Sequence, residues 1–226
     1  MTSIAAEKLL LPYYGEDSPK VVQTIVDHLG EKDGNWKWLG EGSFANVYWL
    51  HDKKKALKIT RDRNDADASE IMRNKPDRSV VKVYDVFALP KQYTDLWGIV
   101  VEKLSPLSYK EGEAIANLYN LLWDLGIDQT PTMKHVKEFK ERLENPDPKK
   151  HPIDKYIQEY YDKSGVTEEM IDRWETWAKV LDSRHIYWKD FKPANVMSRG
   201  RNMVISDLGY SKVPHQKIPE LQVSET

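Results

Sequence analysis

The stretch "YWKDFKPANVMSRGRNMVISDLG", residues 187–209, sets Asp190, Lys192, Asn195 and Asp207 among short apolar runs. Packing alone gives no reason for this spacing of charged and amide side chains. Transfer of a phosphoryl group from a nucleotide does give one. That chemistry needs a carboxylate for the attacking hydroxyl, a cation near the transferred group and oxygen ligands for a metal ion. A polar loop followed by a hairpin would explain the turn at "SRGRN" but not the whole combination.

Two glycines occupy a second informative stretch, "LGEGSFANVYWL", residues 39–50. Gly40 and Gly42 stand between two predicted strands, and Val47 follows five residues after the second glycine. Glycines at such a point let the backbone approach a phosphate closely, so that N–H groups can surround its oxygens. A plain hairpin turn explains the same two glycines.

A lysine interrupts the apolar run "KALKIT", residues 55–60. An ammonium group on a buried strand requires an anionic partner, although an edge strand would leave Lys58 in solvent. Glu70, twelve residues later in a short polar helix, could supply that partner. Asp65 and Asp67 are rival partners in the same helix.

At these residues the chain resembles the protein-kinase superfamily, over roughly residues 36–210. "LGEGSFANVY" is similar to the Gly-rich loop that covers the nucleotide, and "ALKI" to the strand that bears the phosphate-binding lysine. "WKDFKPANV" is similar to the catalytic loop, and "SDLG" to the metal-binding D-F-G element. Within the superfamily, the arrangement most resembles the compact kinase domain that T7-like bacteriophages encode.

The resemblance implies a role for each matching residue, with ATP and Mg2+ as cofactors. Asp190 would be the catalytic base, and Lys192 would stabilise the phosphoryl group in transfer. Asn195 and Asp207 would bind Mg2+. The residues implied in nucleotide binding are Gly40, Gly42, Val47, Lys58 with its ion-pair partner Glu70, and the hinge positions Glu102 and Leu104 in "IVVEKL".

The implied activity is that of a serine/threonine protein kinase, because a lysine two residues after the catalytic aspartate is the pattern of that class. The implied substrates are host proteins, including proteins of transcription and RNA metabolism. A small-molecule kinase of the same fold is one alternative, although such enzymes usually lack this lysine. A pseudokinase, a binding module without turnover, is another, although it would have no need for the complete set of charged residues.

Several positions depart from the family pattern. Ala45 stands where a third glycine is usual, and Trp188 and Lys189 stand where His and Arg are usual. Without that arginine, control through a phosphorylated activation loop is not expected. Seventeen residues follow Gly209, which predicts a reduced C-terminal lobe.

The periodicity of the chain predicts an α+β protein. Residues 20–29 have helical spacing, residues 36–104 contain about five short strands and one short helix, and later segments are helical. Ser108 with Glu111 predicts a capping box, and Thr167 predicts another helix start. With the resemblance, this order divides the chain into an accessory helix (1–35), a small antiparallel-sheet N-lobe (36–103), a reduced and mainly helical C-lobe (104–210) and a tail (211–226).

The composition limits the other classes of function. The chain has 226 residues, 40% of them hydrophobic, which suffices for a sizeable core. Its 34 basic and 36 acidic side chains leave a formal charge of -2, so no overall field favours nucleic acid or an anionic membrane, and neither is expected as a partner. The chain contains no cysteine and shows neither a signal peptide nor a membrane span, so a cytoplasmic location is expected, that of the host if a phage encodes it.

Overall fold

The structure, a computed structural model, describes residues 18–29, 36–41, 45–50, 54–90, 93 and 95–221. The predicted α+β class is confirmed: a five-stranded antiparallel sheet accompanies several helices. The chain forms two compact units. The first comprises residues 1–74, 82–103 and 216–226, and the second comprises residues 75–81 and 104–215.

The sheet of the first unit has the strand order β1-β2-β3-β5-β4, with every neighbouring pair antiparallel. The strands are β1 (Trp36–Glu41), β2 (Ala45–Leu50), β3 (Lys55–Thr60), β4 (Val83–Ala88) and β5 (Trp97–Glu102). Strand β2 alternates buried and half-buried residues, as expected for a strand that packs on one face. At Gly98 of β5, an added Cβ atom would lie 2.2 Å from the buried Phe87 ring, so the close packing of β4 on β5 requires glycine.

One face of this sheet packs on helix α1 (Ser18–His28). Val22, Ile25 and Val26 of the helix are at most 1% exposed and contact the sheet residues Tyr48 and Leu57. The helix was predicted from its 3.6-residue spacing and is confirmed. Burial of this apolar stripe is what stabilises so short a helix, because an isolated helix of this length is marginal in water.

Helix α2 (Arg63–Asn74) follows β3 after only two residues. The Asp62 carboxylate accepts a hydrogen bond of 2.9 Å from the backbone N–H of Asn64, which satisfies a free donor of the first turn. The predicted short helix is thus confirmed, and Asp62, the residue before it, caps its start. Its carboxylates are buried rather than exposed, at Asp65, Asp67 and Glu70.

The C-terminal segment returns to the first unit. Leu221 donates its N–H to the carbonyl of Ala88 at 2.8 Å, and Pro219 accepts from the N–H of Ala88 at 2.8 Å. These bonds extend the free edge of β4, and Leu221 is buried in the same core as helix α1. The "KIPE" sequence at 217–220 therefore lies in a segment that pairs with an edge strand.

The second unit is mainly helical. Its helices are α3 (Tyr109–Asp124), α4 (Met133–Glu144), α5 (Ile157–Ser164) and α6 (Glu168–Asp182). The predicted capping box is present at α3, where the Glu111 carboxylate accepts from the Ser108 N–H at 2.8 Å. The predicted Thr167 cap begins α6. Helix α5 was not predicted and follows a short 3-10 helix, Pro152–Tyr156.

Two small sheets complete the second unit. Strand β6 (Tyr187–Trp188) pairs with β9 (Ser211–Lys212), and β7 (Val196–Arg199) pairs with β8 (Asn202–Ile205), each antiparallel. The chain before β4 contributes a parallel bridge from Val80 to this hairpin. None of the helices in the described ranges is long and apolar enough to cross a membrane.

Candidate active site

In the second unit, two nested strand pairs frame the segment that carries the catalytic residues expected from the sequence. The β6–β9 pair closes its two ends, at Trp188 opposite Ser211. The β7–β8 hairpin forms its middle and turns at Gly200, which has φ +64°. The backbone N–H of Ser206 donates to the carbonyl of Asn195 at 2.9 Å. This frame brings the region of Asp207 next to Asn195, although the two are twelve residues apart in the chain.

Asp190 is held by two neighbours. The Asn195 side-chain amide donates to its Oδ2 at 2.7 Å and to its backbone carbonyl at 2.8 Å. The Lys192 Nζ lies 2.9 Å from the same Oδ2. Asn195 is 6% exposed, whereas the Asp190 side chain is 35% exposed. The predicted residues Asp190, Lys192 and Asn195 thus form one constellation with a fixed carboxylate that solvent can reach.

The unused atoms of this constellation indicate its chemistry. Among the described residues, Asp190 Oδ1 and Asn195 Oδ1 have no hydrogen-bond partner. Asn195 directs its amide nitrogen to Asp190, which leaves its oxygen as an acceptor. A partly exposed carboxylate oxygen and a free amide oxygen can accept a substrate proton and bind a hard cation respectively.

Asp207 lies two residues after the end of β8 and begins a tight turn. Its Oδ1 accepts a hydrogen bond of 2.7 Å from the backbone N–H of Gly209. Tyr210 then adopts φ +60°, and the chain enters β9. The turn fixes the carboxylate and follows from the "SDLG" sequence, because aspartate readily accepts from the N–H two residues later.

Phe191, the residue between Asp190 and Lys192, packs into an aromatic cluster. The ring of Phe191, 2% exposed, lies 6.0 Å from Trp188 and 6.1 Å from Trp177, both edge-on. Such pairs add about 0.5–1.5 kcal/mol beyond their buried area. Sequence reasoning did not single out Phe191 as a positioning residue. The sequence feature that could have indicated this role is an aromatic residue, Phe191, directly between the charged residues Asp190 and Lys192.

In the first unit, the strand register aligns three of the predicted nucleotide-binding residues. Gly40 lies opposite Val47, Val47 opposite Lys58, and Lys58 opposite Ile99, in one row across four strands. The register of β1 shifts between Trp38 and Gly40, which is a bulge before the glycine. Gly42 lies outside the described residues.

Gly40 has no conformational or packing reason to be glycine. Its φ is not in the positive range, and an added Cβ atom would meet no atom of the described residues within 4 Å. Glycine at such a position is typical of sites where a ligand approaches the backbone closely.

Lys58 pairs with Asp65, at 2.6 Å between Nζ and Oδ2, with side chains 12% and 2% exposed. The predicted pairing with Glu70 is wrong. The Glu70 carboxylate accepts instead from Arg73 at 2.7 Å and Asn74 at 3.1 Å. The physical reason is the two-residue connection from β3 to α2, which places the first turn of the helix, with Asp65, beside the strand.

The predicted hinge positions differ in what their backbone can offer. The N–H of Glu102 donates to the backbone carbonyl of Lys82 at 2.9 Å, and the N–H of Lys103 donates to the backbone carbonyl of Lys54 at 3.0 Å. Among the described residues, the N–H of Leu104 has no partner. Of the predicted hinge positions, Leu104 is thus the one whose N–H forms no hydrogen bond within the described residues.

A preformed metal cage is absent from the described part of the chain: no three His, Asp or Glu side chains there are grouped to hold an ion. Mg2+ bound with a nucleotide does not require one, since it commonly takes one or two protein oxygens together with phosphate oxygens and water. The chain matches no protein-family model and no curated protein.

Proposed function

We propose that the chain is an ATP- and Mg2+-dependent serine/threonine protein kinase with the two-lobed fold of the protein-kinase superfamily. The observation that carries the proposal is the geometry at Asp190. One carboxylate oxygen is held by Asn195 and Lys192, and the other is open. A general base requires this combination of fixed orientation and access to the substrate hydroxyl.

The transfer follows from these positions. The hydroxyl oxygen of a serine or threonine forms a bond to the γ-phosphorus, and the bond from that phosphorus to the bridging oxygen of ADP breaks. The hydroxyl proton moves to Asp190 Oδ1. Lys192, 48% exposed, provides positive charge next to the transferring group. Most of the rate enhancement comes from positioning and charge stabilisation, since little covalent chemistry falls to the protein.

Asn195 and Asp207 would hold Mg2+, which neutralises charge on the phosphates when bound. The donors fit this ion: Asn195 offers a free amide oxygen and Asp207 a carboxylate fixed by Gly209. Lys58 would contact phosphate oxygens, with Asp65 in place of Glu70 as the residue that orients it. The row from Gly40 to Val47 and the N–H of Leu104 would contact the rest of the nucleotide.

The proposed substrates are proteins of a bacterial host, including those of transcription and RNA metabolism, with a phage as the source of the kinase. This part of the proposal rests on the similarity of "LGEGSFANVY" and "WKDFKPANV" to compact phage kinases.

The test is incubation with γ-labelled ATP and Mg2+, with and without a bacterial lysate. The Asp190→Asn variant should lose transfer to Ser and Thr while it still binds a nucleotide analogue. Lys189→Gln is the matched control, because Lys189 is exposed and adjacent but makes no contact with Asp190. Unchanged transfer by Asp190→Asn would exclude Asp190 as the base. Nucleotide binding without transfer by the wild type would identify a pseudokinase or a kinase for a small molecule.

A further inference from the structure

Four lysines gather at one end of the five-stranded sheet, and we call this group the lysine end. The antiparallel order brings the end of β5 beside the starts of β3 and β4. Lys55 lies opposite Glu102, and the backbone of Glu102 and of Lys103 bonds to Lys82 and to Lys54. The members of the lysine end are Lys54, Lys55, Lys82 and Lys103.

Aromatic rings hold three of these ammonium groups. The Nζ atoms of Lys55 and Lys82 lie 4.4 Å and 4.8 Å from the centre of the same ring, that of Tyr84. The Nζ of Lys103 lies 3.7 Å from the ring of Trp49. Each contact is an attraction between cation and ring. The contacts nevertheless concentrate positive charge, since two ammonium groups share one ring.

Within the described residues, none of the four lysines of the lysine end forms an ion pair. The carboxylate of Glu102, the acidic residue next to them, accepts the backbone N–H of Lys82 at 2.6 Å. By contrast, three lysines of the second unit, Lys140, Lys163 and Lys179, each pair with a glutamate. The chain as a whole has more acidic than basic residues. The positive charge at the lysine end is therefore local to that end of the sheet.

We propose that the lysine end is a docking surface for an acidic segment of a partner protein. Complementary charge steers and orients such a segment, and the clustered ammonium groups repel one another less once it is bound. Single-stranded nucleic acid fits less well. Its binding sites combine phosphate contacts with open aromatic faces for base stacking, and here lysines cover the rings of Tyr84 and Trp49.

This surface is separate from the proposed phosphotransfer, so its test measures binding without ATP. A fluorescein-labelled oligoglutamate peptide is titrated with the full chain, and its anisotropy is followed at several salt concentrations. The test variant is Lys54→Gln/Lys55→Gln/Lys82→Gln. Lys103 is left unchanged, because it lies between two proposed hinge residues. The control variant, Lys134→Gln/Lys137→Gln/Lys149→Gln, removes three exposed charges from the second unit.

The expected result is peptide binding that weakens with salt and is about tenfold weaker in the test variant, with the control variant within about twofold of wild type. The nucleotide affinity of the test variant should equal that of wild type, which separates this result from a failure of the proposed kinase function. Equal loss in both triple variants would overturn the proposal, as would no binding at low salt. A labelled oligouridylate bound more tightly than the peptide, and lost in the test variant alone, would assign the surface to nucleic acid instead.

Discussion

The backbone N–H of Gln216 donates a hydrogen bond of 2.9 Å to Oδ1 of Asp67, a residue 149 positions earlier in the chain. Arg63 bridges the same pair: its Nη2 lies 2.6 Å from the carbonyl oxygen of Gln216 and 3.0 Å from Asp67. Asp67 is fully buried. Helix α2, which also carries Asp65, is thus fastened to the C-terminal segment within the first unit.

The Asp67–Gln216 bond should contribute measurably to stability. Asp67→Ala leaves the Gln216 N–H and the Arg63 guanidinium without their carboxylate, at a cost of about 1–3 kcal/mol in free energy of unfolding. Asp172→Ala, which removes an exposed carboxylate from helix α6, should cost little. Urea denaturation of the three proteins measures this difference, and equal stability of Asp67→Ala and wild type would contradict it.

The partner of Lys58 can be tested by a pair of isosteric variants. Asp65→Asn removes the charge that orients Lys58, so affinity for a non-hydrolysable MgATP analogue should fall by about tenfold, the value of one charged hydrogen bond. Glu70→Gln should change that affinity by less than about twofold. Isothermal titration calorimetry measures both. The opposite ranking of the two variants would restore Glu70 as the functional partner.

The proposed role of Asp207 in metal binding predicts a dependence on Mg2+ concentration. Asp207→Ala should raise the Mg2+ concentration that half-saturates nucleotide binding, because one of two protein oxygen ligands is lost. The control is Asp172→Ala, which removes an exposed carboxylate from helix α6. Titration with Mg2+ at fixed nucleotide checks this, and identical curves for both variants would remove Asp207 from the metal site.

The packing of the Phe191 ring beneath the proposed catalytic loop predicts effects on stability and on turnover. Phe191→Ala should destabilise the protein by about 3–5 kcal/mol, as expected when a large buried ring is deleted. Phe191→Leu retains apolar volume and should fold, with kcat reduced and KM for ATP nearly unchanged, because the ring positions Asp190 and Lys192 only indirectly. Steady-state kinetics of the leucine variant provides the check. A wild-type kcat would show that ring packing does not position the loop.

Helices α4 and α6 predict a change of stability in acid. The Lys140 hydrogen bond, followed by that from Lys179, holds the pKa of Glu175 below its ordinary value of 4.5. A lowered native pKa stabilises the fold above the unfolded pKa, and this stabilisation is lost as the pH falls through the native value. Glu175→Gln should therefore flatten the acid limb of a plot of unfolding free energy against pH. Glu113→Gln, an exposed change without an ion pair, should reproduce the wild-type curve.

Local patterns predicted the local structure, whereas the misses come from the length of one connection and from contacts distant in sequence. The capping box at Ser108 and the cap at Thr167 depend on residues three positions apart, so the sequence shows them directly. The pairing of Lys58 with Asp65 depended on a connection whose length was not predicted. Phe191 and the segment up to Leu221 acquire their roles through partners far away in the chain, which no periodicity reports.

The grouping of Asp190, Lys192 and Asn195 could be predicted because all three lie within six residues. The position of Asp207 beside them could not be predicted from spacing, since it depends on the β7–β8 hairpin and on the hydrogen bond from the Ser206 N–H to the Asn195 carbonyl. The sequence offered a hairpin at "SRGRN" only as part of the alternative explanation, a polar loop without phosphotransfer chemistry. The cross-strand row from Gly40 to Lys58 depends on strand register and on the bulge before Gly40, which alternation alone does not specify.

Burial of Leu221 in the core of the first unit has a consequence for synthesis on the ribosome. The first unit is assembled from segments that precede and follow most of the second unit in the chain, so its core is incomplete until residue 221 has been synthesised. The helical second unit is built largely from one continuous segment. It can therefore fold before Leu221 is available to complete the core of the first unit. Pulse-proteolysis of stalled nascent chains should show protection of residues 104–215 before protection of the sheet, and the reverse order would refute this.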